Sequence, residues 1–350
     1  MAVTGAPETT APTGPAQRRA HGGALSLGKR FLTLREGSII VITLITAIYF
    51  AVTVADGRFL TVDSFKTLLP FFAPYAILAA GEVFVMINGE IDLSIGAMGL
   101  FIPFWFYELH HWGLPLYVAL ILAMVTAMAL GAVNGIANAY IGISSFVATL
   151  GMLFVLEGAT LVLSHATPVT PPGTAISGTT TFSKIFGGGT YSELIWAVAI
   201  VIILQLVLSF TRWGIYTVSV GGNRLGSAEA GVNVKLVLIR NFMMCALLAG
   251  LVGVLETVRA TTITPDPSGS NVYLFQAISA AVIGGTLLRG GSGTVIGAFI
   301  GALFLGILND GLTLKGVNAN YQYLYLGLAI LVAMSINTYI ARVRTGSGRG

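Results

Sequence analysis

Apolar runs as long as a bilayer-spanning helix recur along most of this chain. A bilayer core takes about 20 apolar residues per helix. The runs predict ten membrane-spanning helices, of which the third and the eighth are short. They cover residues 38–54, 68–87, 91–106, 116–140, 146–164, 194–210, 237–258, 275–288, 294–308 and 323–340. We therefore expect an all-α polytopic membrane protein.

A polar, glycine-rich stretch interrupts this pattern at residues 88–96, called the first joint below. It carries two carboxylates, Glu90 and Asp92, between runs apolar enough to cross a membrane. A carboxylate at the bilayer centre costs about 2.5–3.5 kcal/mol, so both need a membrane surface or a hydrated, protein-lined place. Glycine lets the backbone turn there. The polar residues and glycines of the first joint are Asn88, Gly89, Glu90, Asp92, Ser94 and Gly96.

A similar interruption at residues 284–293, the second joint, makes a weak internal repeat. VMINGEIDLSIGAM (85–98) and VIGGTLLRGGSGTVIGAF (282–299) share an apolar run, a glycine-rich joint and an Ile-Gly-Ala restart. By analogy with secondary transporters, paired interruptions of this kind indicate the central path. We expect both joints on the cytoplasmic side. The glycines of the second joint are Gly284, Gly285, Gly290, Gly291 and Gly293.

Composition and charge support a membrane protein with both termini in the cytoplasm. Only 9% of the residues are charged, against about 25% in soluble domains. Residues 1–37 predict a disordered basic tail, 38–340 the transmembrane domain and 341–350 a second basic tail. Ten crossings from an inside N-terminus place 13 of the 18 basic residues in the cytoplasm, as the positive-inside rule requires. The single Cys245 excludes an intrachain disulfide and a cysteine-based metal site.

Residues 212–236 form a basic segment, called the coupling loop below. Its sequence GGNRLGSAEAGVNV (221–234) predicts a short helix around residues 224–230, with Gly231 as its C-cap. Such a helix could lie in a groove of a soluble partner. An ordinary positive-inside loop is the other interpretation.

Four motifs together resemble the signatures of ribose-type ABC sugar permeases. They are NGEIDLSIG (88–96), SSFVATLG (144–151), GGNRLGSAEAGVNV (221–234) and AAVIGGTLLRGGSGTVIGAFIGA (280–302). The resemblance implies the ten-helix type II importer fold with pseudo-repeated halves, in the bacterial inner membrane, paired with a second copy or a sister permease. It implies a sugar or polyol cargo, an extracytoplasmic binding protein, and cassette ATPase subunits that hold ATP and magnesium. Those ATPases would dock on Gly222, Asn223, Arg224, Ala228, Glu229 and Gly231.

The chain departs from this family pattern at several positions. Glu90 stands where a second glycine is usual, Ser145 replaces a proline, and Glu157 replaces an arginine. The alanine-rich core of the docking segment becomes Leu-Gly-Ser at 225–227. These departures leave the cargo and the details of docking open.

Amides within the apolar runs are candidates for the sugar path, because an unpaired amide in lipid is costly. They are Asn134, Asn138, Gln276 and Asn309. Helix packing is the alternative, since Gly131 and Gly135 give the same helix a small face. Three buried acids, Glu82, Glu157 and Glu256, would each be paired, water-facing or protonated.

Other functions compete with this interpretation. The GGSG of an intramembrane serine protease occurs at residues 290–293, but no histidine follows Ser292 to act as its base. No phosphate-binding GxxxxGK[ST] motif occurs, so ATP must be hydrolysed by another chain. We expect no catalytic residue, cofactor, metal site or nucleic-acid partner. A secondary transporter driven by an ion gradient, with Glu82, Glu90 or Asp92 carrying protons, stays open.

Overall fold

The computed structural model describes residues 36–174, 180–318, 320–321, 324–332 and 335. The predicted tail at 341–350 lies outside these residues, as does all but the end of the tail at 1–37. Secondary structure in the described part is helical, apart from one antiparallel bridge between Val169 and Ile263. The helices are α1 (Gly37–Thr53), α2 (Val62–Leu68), α3 (Ala73–Ile87), α4 (Ile95–His111), α5 (Leu116–Ile136), α6 (Ser145–Leu163), α7 (Thr181–Ile185), α8 (Ser192–Phe210), α9 (Arg212–Gly222), α10 (Arg224–Glu229), α11 (Val234–Ala260), α12 (Pro267–Ile283) and α13 (Val295–Leu314).

Six helical stretches in the described residues are long and apolar enough to cross a membrane. They are Val62–Ile87, Leu116–Ile141, Ser145–Leu163, Ser192–Phe210, Val234–Ala260 and Val295–Leu314. Helices α1, α4 and α12 are shorter than these six stretches, with 17 residues each. Each of the first nine predicted spans overlaps one of these helices, and the tenth falls partly outside the described residues.

Two predicted boundaries were wrong for a local reason. Helix α12 begins at Pro267 instead of residue 275, because Asp266 caps it by accepting a hydrogen bond from the Ser268 N–H at 3.0 Å. Its first turns are polar, so hydropathy did not mark them as helix. Helix α4 begins at Ile95 instead of residue 91, because residues 88–94 stay non-helical.

Helix α3 is the centre of the bundle. Every residue from Ala73 to Ile87 is buried, and α11, α13, α12 and α8 pack around it. A helix that is apolar on all sides is expected in such a position.

The predicted small face of α5 is confirmed as a packing surface against α11. A Cβ atom on Gly131 would lie 2.5 Å from the Phe242 carbonyl oxygen, and one on Gly135 would lie 2.6 Å from the Ile239 Cα. Only glycine permits this approach of two helix backbones.

Large apolar side chains cover the outside of the bundle. Phe154 and Val155 on α6, and Ile202 and Ile203 on α8, are each more than half exposed. Apolar surface of this extent is what lipid contact requires, so the chain is a multi-pass membrane protein.

Candidate functional site

The first joint lies inside the protein between α3 and α4. Asp92 and Glu82 are fully buried, and a Glu82 carboxylate oxygen accepts a hydrogen bond from the Asp92 N–H at 3.0 Å. Asp92 Oδ1 accepts from the Ser94 N–H at 2.9 Å and from its hydroxyl at 2.6 Å. Asn134 donates to the Ser94 Oγ at 2.9 Å. Asp92 and Glu90, for which either a membrane surface or a protein-lined place was predicted, are therefore both enclosed by protein.

Helix α6 satisfies the backbone groups that the break between α3 and α4 leaves free. The Ile91 N–H donates to Ser145 Oγ at 3.2 Å, and the Leu93 N–H donates to Thr149 Oγ1 at 3.0 Å. Irregular backbone inside a membrane protein needs such partners. Ser145, one of the departures from the family pattern, thus receives a hydrogen bond from the first joint.

The second joint packs directly on the first. The Gly291 N–H donates to the Ile87 carbonyl at 2.7 Å. Gly290 and Gly291 have φ values of +84° and +78°, a backbone region that favours glycine. The Gly293 backbone lies against the Ile87 side chain. The two interruptions, about 200 residues apart in sequence, therefore meet at the end of the central helix.

The coupling loop is helical over most of its length and contacts both joints. Helix α9 follows α8 after Thr211, and α10 follows α9 after Asn223. A Cβ atom on Gly221 would lie 1.7 Å from the Ile87 carbonyl oxygen and 2.9 Å from the Gly291 nitrogen. The end of α9 thus lies in backbone contact with the last residue before the first joint and with the second joint.

Arg224 links α10 to the first joint through two bonds. One guanidinium nitrogen, Nη2, donates to the Asn88 carbonyl at 2.8 Å and forms an ion pair with Glu90. The Arg224 side chain is 45% exposed and that of Glu90 only 9%. Glu90, a second departure from the family pattern, therefore joins the membrane interior to a residue at the surface of the coupling loop.

Asn241 on α11 is a connecting residue that the sequence reasoning missed. Its side-chain nitrogen donates to Asn88 Oδ1 at 2.5 Å and to Thr217 Oγ1 at 3.3 Å. Its oxygen accepts from the Trp213 indole at 2.6 Å, and Asn88 itself donates to the Thr217 carbonyl at 2.9 Å. In the sequence, the polar amide of Asn241 within the apolar run at 237–258 could have indicated this role.

Helix α10 is short, capped at both ends and exposed. Asn223 Oδ1 accepts from the Gly226 N–H at 2.9 Å at its start. Gly231 follows its end with φ of +84°, and the Val232 N–H donates to the Ser227 carbonyl, which is a Schellman motif. The predicted helix and its terminal glycine are confirmed. Exposed residues between positions 222 and 231 are Gly222, Asn223, Arg224, Leu225, Ala228, Glu229, Ala230 and Gly231.

One protein-family model matches most of this chain. The model for the permease component of branched-chain amino acid transport systems matches residues 64–334. The chain belongs to this permease family.

Individual relatives confirm the resemblance to ribose-type permeases. The ribose import permease protein RbsC of Escherichia coli is 32% identical, covering 89% of this permease and 97% of its own length. The xylose/arabinose import permease protein XylH of Sulfolobus acidocaldarius is 32% identical, with coverage of 91% and 88%. The D-allose transport system permease protein AlsC of E. coli is 28% identical, with coverage of 88% and 93%. No solved structure matches the chain.

The four candidate path amides of the permease lie in different places. Asn134 is buried beside Ser94 of the first joint. Asn138 donates to the Ile143 carbonyl at 3.2 Å, near the end of its own helix. Gln276 is buried on α12, whereas Asn309 is partly exposed on α13. The structure thus brings one of the four to the joints.

Three further acids of the permease make their contacts near the end of α11 and the start of α12; Glu157, expected to be buried, is partly exposed. Ser270 donates to Glu157 at 3.0 Å. Arg259 forms ion pairs with Glu193 at 3.0 Å and with Glu256 at 2.5 Å. Glu157 thus connects α6 to α12 and Glu193 connects α8 to α11, whereas the pair of Arg259 with Glu256 lies within α11.

Proposed function

We propose that this permease moves a sugar or polyol across the bacterial cytoplasmic membrane as the membrane subunit of an ATP-driven importer. Membership of the permease family supports this proposal, as do relatives named for the import of ribose, xylose or arabinose, and allose. An extracytoplasmic binding protein delivers the cargo. Separate cassette ATPase subunits, which hold ATP and magnesium, supply the energy.

The proposed topology has ten crossings with both chain ends in the cytoplasm. Two arrangements support it. The helix–joint–helix unit occurs twice, as α3–first joint–α4 and α12–second joint–α13, as a type II importer fold with pseudo-repeated halves requires. The same topology keeps the coupling loop and most basic residues in the cytoplasm, in agreement with the positive-inside rule.

The contact of the coupling loop with both joints is the observation that carries the coupling mechanism. Gly221 sits against the Ile87 carbonyl and the Gly291 nitrogen, while Arg224 holds Asn88 and Glu90. A displacement of α9 and α10 by an ATPase therefore moves both joints at once. The glycines of the joints absorb the change in backbone angles, and the helices that follow them tilt to open the path on one side of the membrane.

The path itself lies between this permease and a second copy or a sister permease. We place Asn134 on the side of the path that the first joint controls, because its amide bonds Ser94 at 2.9 Å. Asn138, Gln276 and Asn309 are the further candidates on this path.

Cross-linking of a single thiol tests the docking surface. The native Cys245 is buried, so Ala228→Cys places one reactive thiol on exposed α10. We expect a heterobifunctional reagent to join this thiol to the cassette ATPase in membranes. Lys184→Cys, exposed in the segment between α6 and α8, is the matched control and should give no such product. Equal cross-linking from both positions would contradict the docking surface and the topology.

The energy source is tested by sugar uptake in vesicles. With ATP maintained, uptake of a labelled pentose should persist after a protonophore collapses the proton gradient. Uptake that stops with the gradient while ATP is present would favour the ion-driven alternative.

A further inference from the structure

An arginine without a polar partner lies in the first two turns of α11. Arg240 is the seventh residue of this helix, about 9 Å along the helix axis from its start. It forms no hydrogen bond and no ion pair within the described part of the chain. Its Nε is buried, whereas its two terminal nitrogens are not fully buried. The N–H groups of these terminal nitrogens are therefore available to a ligand that approaches α11 from outside.

Trp213 of α9 holds the guanidinium group of Arg240. The Arg240 Cζ lies 5.4 Å from the centre of the Trp213 ring, which is within the range of a cation–π contact. The indole is itself fixed, because its N–H donates to Asn241 at 2.6 Å. The free donors of Arg240 are therefore held between α9 and α11.

The charge balance of this part of the permease favours an anion. Residues 194–255 contain four basic residues but only one acid, Glu229. Among the described residues, Arg224 is the only one of these four bases that forms an ion pair, and its partner is Glu90. A charged side chain in a membrane-spanning helix needs a partner, and the protein offers Arg240 only the Trp213 ring.

Apolar side chains beside Arg240 identify the anion as a phospholipid. Leu236, one turn earlier on the same face of α11, and Ile215 and Val218 of α9 are each at least 40% exposed. Apolar surface next to a cation matches a lipid, whose phosphate adjoins its acyl chains. The cytoplasmic leaflet carries anionic lipids that attract basic residues. The planar guanidinium group binds a phosphate through two parallel hydrogen bonds.

We propose that the permease binds one anionic phospholipid between α9 and α11, with its phosphate on the Arg240 guanidinium. The assignment to the cytoplasmic leaflet rests on the topology in the proposed function. The headgroup lies against the start of α9, the helix whose other end contacts the second joint. The lipid is therefore a ligand of the coupling loop and not of the sugar path.

Native mass spectrometry of the full chain in an uncharged detergent tests the site, because such micelles have no surface potential. Phosphatidylglycerol is the probe, and phosphatidylcholine is the lipid without net charge. We expect one phosphatidylglycerol to bind more tightly than phosphatidylcholine. Arg240→Gln should weaken the binding of phosphatidylglycerol about tenfold, as the loss of a charge-assisted hydrogen bond predicts. Equal binding of the two lipids to the native chain would overturn the proposal.

Lys235→Gln is the matched control, because it removes the same charge from an exposed position on the same helix. The Lys235 Nζ lies 4.1 Å from the centre of the Tyr140 ring. Five residues correspond to about 140° around a helix, so Lys235 and Arg240 point in different directions. We expect Lys235→Gln to bind phosphatidylglycerol like the native chain. Equal loss in both variants would show attraction by total charge alone, and would overturn the site.

Competition tests the source of the phosphate. Inorganic phosphate and glycerol 3-phosphate at millimolar concentration should not displace phosphatidylglycerol, because neither has acyl chains to cover the apolar side chains of α9 and α11. Displacement by either one would assign the site to a soluble phosphate and would overturn the lipid assignment.

A second measurement uses only the native chain, so it does not depend on the folding of a variant. A phosphatidylglycerol with a photoactivatable diazirine should label peptides from residues 212–243 more than the matching phosphatidylcholine does. Both lipids should label the exposed apolar faces of α6 and α8 equally. Equal labelling of residues 212–243 by the two lipids would contradict the proposal.

These measurements require neither the ATPase nor a sugar, so they separate this inference from the proposed function. Sugar import driven by ATP, together with no preference for phosphatidylglycerol, would overturn the lipid site and leave the function intact. An importer that moves no sugar, although its permease binds phosphatidylglycerol through Arg240, would contradict the function and leave the lipid site intact.

Discussion

Two neighbouring glycines at the end of α9 allow a sharp test of the contact between the coupling loop and the joints. Gly221→Ala would place a methyl group 1.7 Å from the Ile87 carbonyl oxygen, whereas Gly222→Ala would meet no atom within 4 Å. Both substitutions add the same methyl group to the same turn. Any difference between them therefore reports the contact with the joints.

The structure gives the size of the expected effect. Ordinary contact at 3.4 Å requires the methyl group and the carbonyl to separate by roughly 1.7 Å. That displacement would lengthen two nearby hydrogen bonds past their limit, Arg224 to the Asn88 carbonyl at 2.8 Å and Asn88 to the Thr217 carbonyl at 2.9 Å. A buried polar group left unpaired costs about 1–3 kcal/mol. With partial relaxation, we expect Gly221→Ala to lower the free energy of unfolding by about 2–4 kcal/mol.

Gly222→Ala should be neutral or slightly stabilising, because alanine is favoured over glycine in a helix by up to about 1 kcal/mol. Thermal unfolding of the two variants in identical nanodiscs measures the difference, which should be several degrees in Tm. In the reconstituted importer, Gly221→Ala should also reduce the ATPase stimulation by loaded binding protein. Equal Tm values in the two variants would refute the packing of α9 on the joints.

Three further substitutions test the contacts that hold the bundle together. Gly96→Ala would put a Cβ atom 2.0 Å from a backbone carbonyl of α12, whereas Gly151→Ala meets nothing within 4 Å. We expect only Gly96→Ala to lower Tm. Equal Tm values would contradict the packing of α4 on α12. Arg259→Ala leaves two buried glutamates without their cation and should lower the free energy of unfolding by about 3–5 kcal/mol. Lys66→Ala, which breaks an exposed pair, should lower it by at most about 1 kcal/mol. Equal Tm losses would contradict the burial of the glutamates. Asn241→Leu removes the amide that joins α3, α9 and α11 and should cost about 2–4 kcal/mol, which an unchanged Tm would disprove.

Much of the fold could be predicted from local sequence. The apolar runs predicted the membrane helices, because hydropathy over about 20 residues is a local property. Glycine-rich interruptions predicted both joints, and Gly231 as a C-cap helped to predict α10. The Asn223 cap at the start of α10 was not predicted. The start of α12 was missed because its first turn is polar and only the Asp266 cap marks it.

The tertiary structure alone decided which segments meet. Nothing in the sequence pattern pairs residue 87 with residue 291, or Glu90 with Arg224, since each contact joins segments more than 100 residues apart. Helices that are apolar on all sides, such as α3, carry no periodic pattern from which their rotation can be read. Rotation and depth of the helices determine which side chains converge. The role of Asn241 at the joints therefore became visible only in the packed bundle.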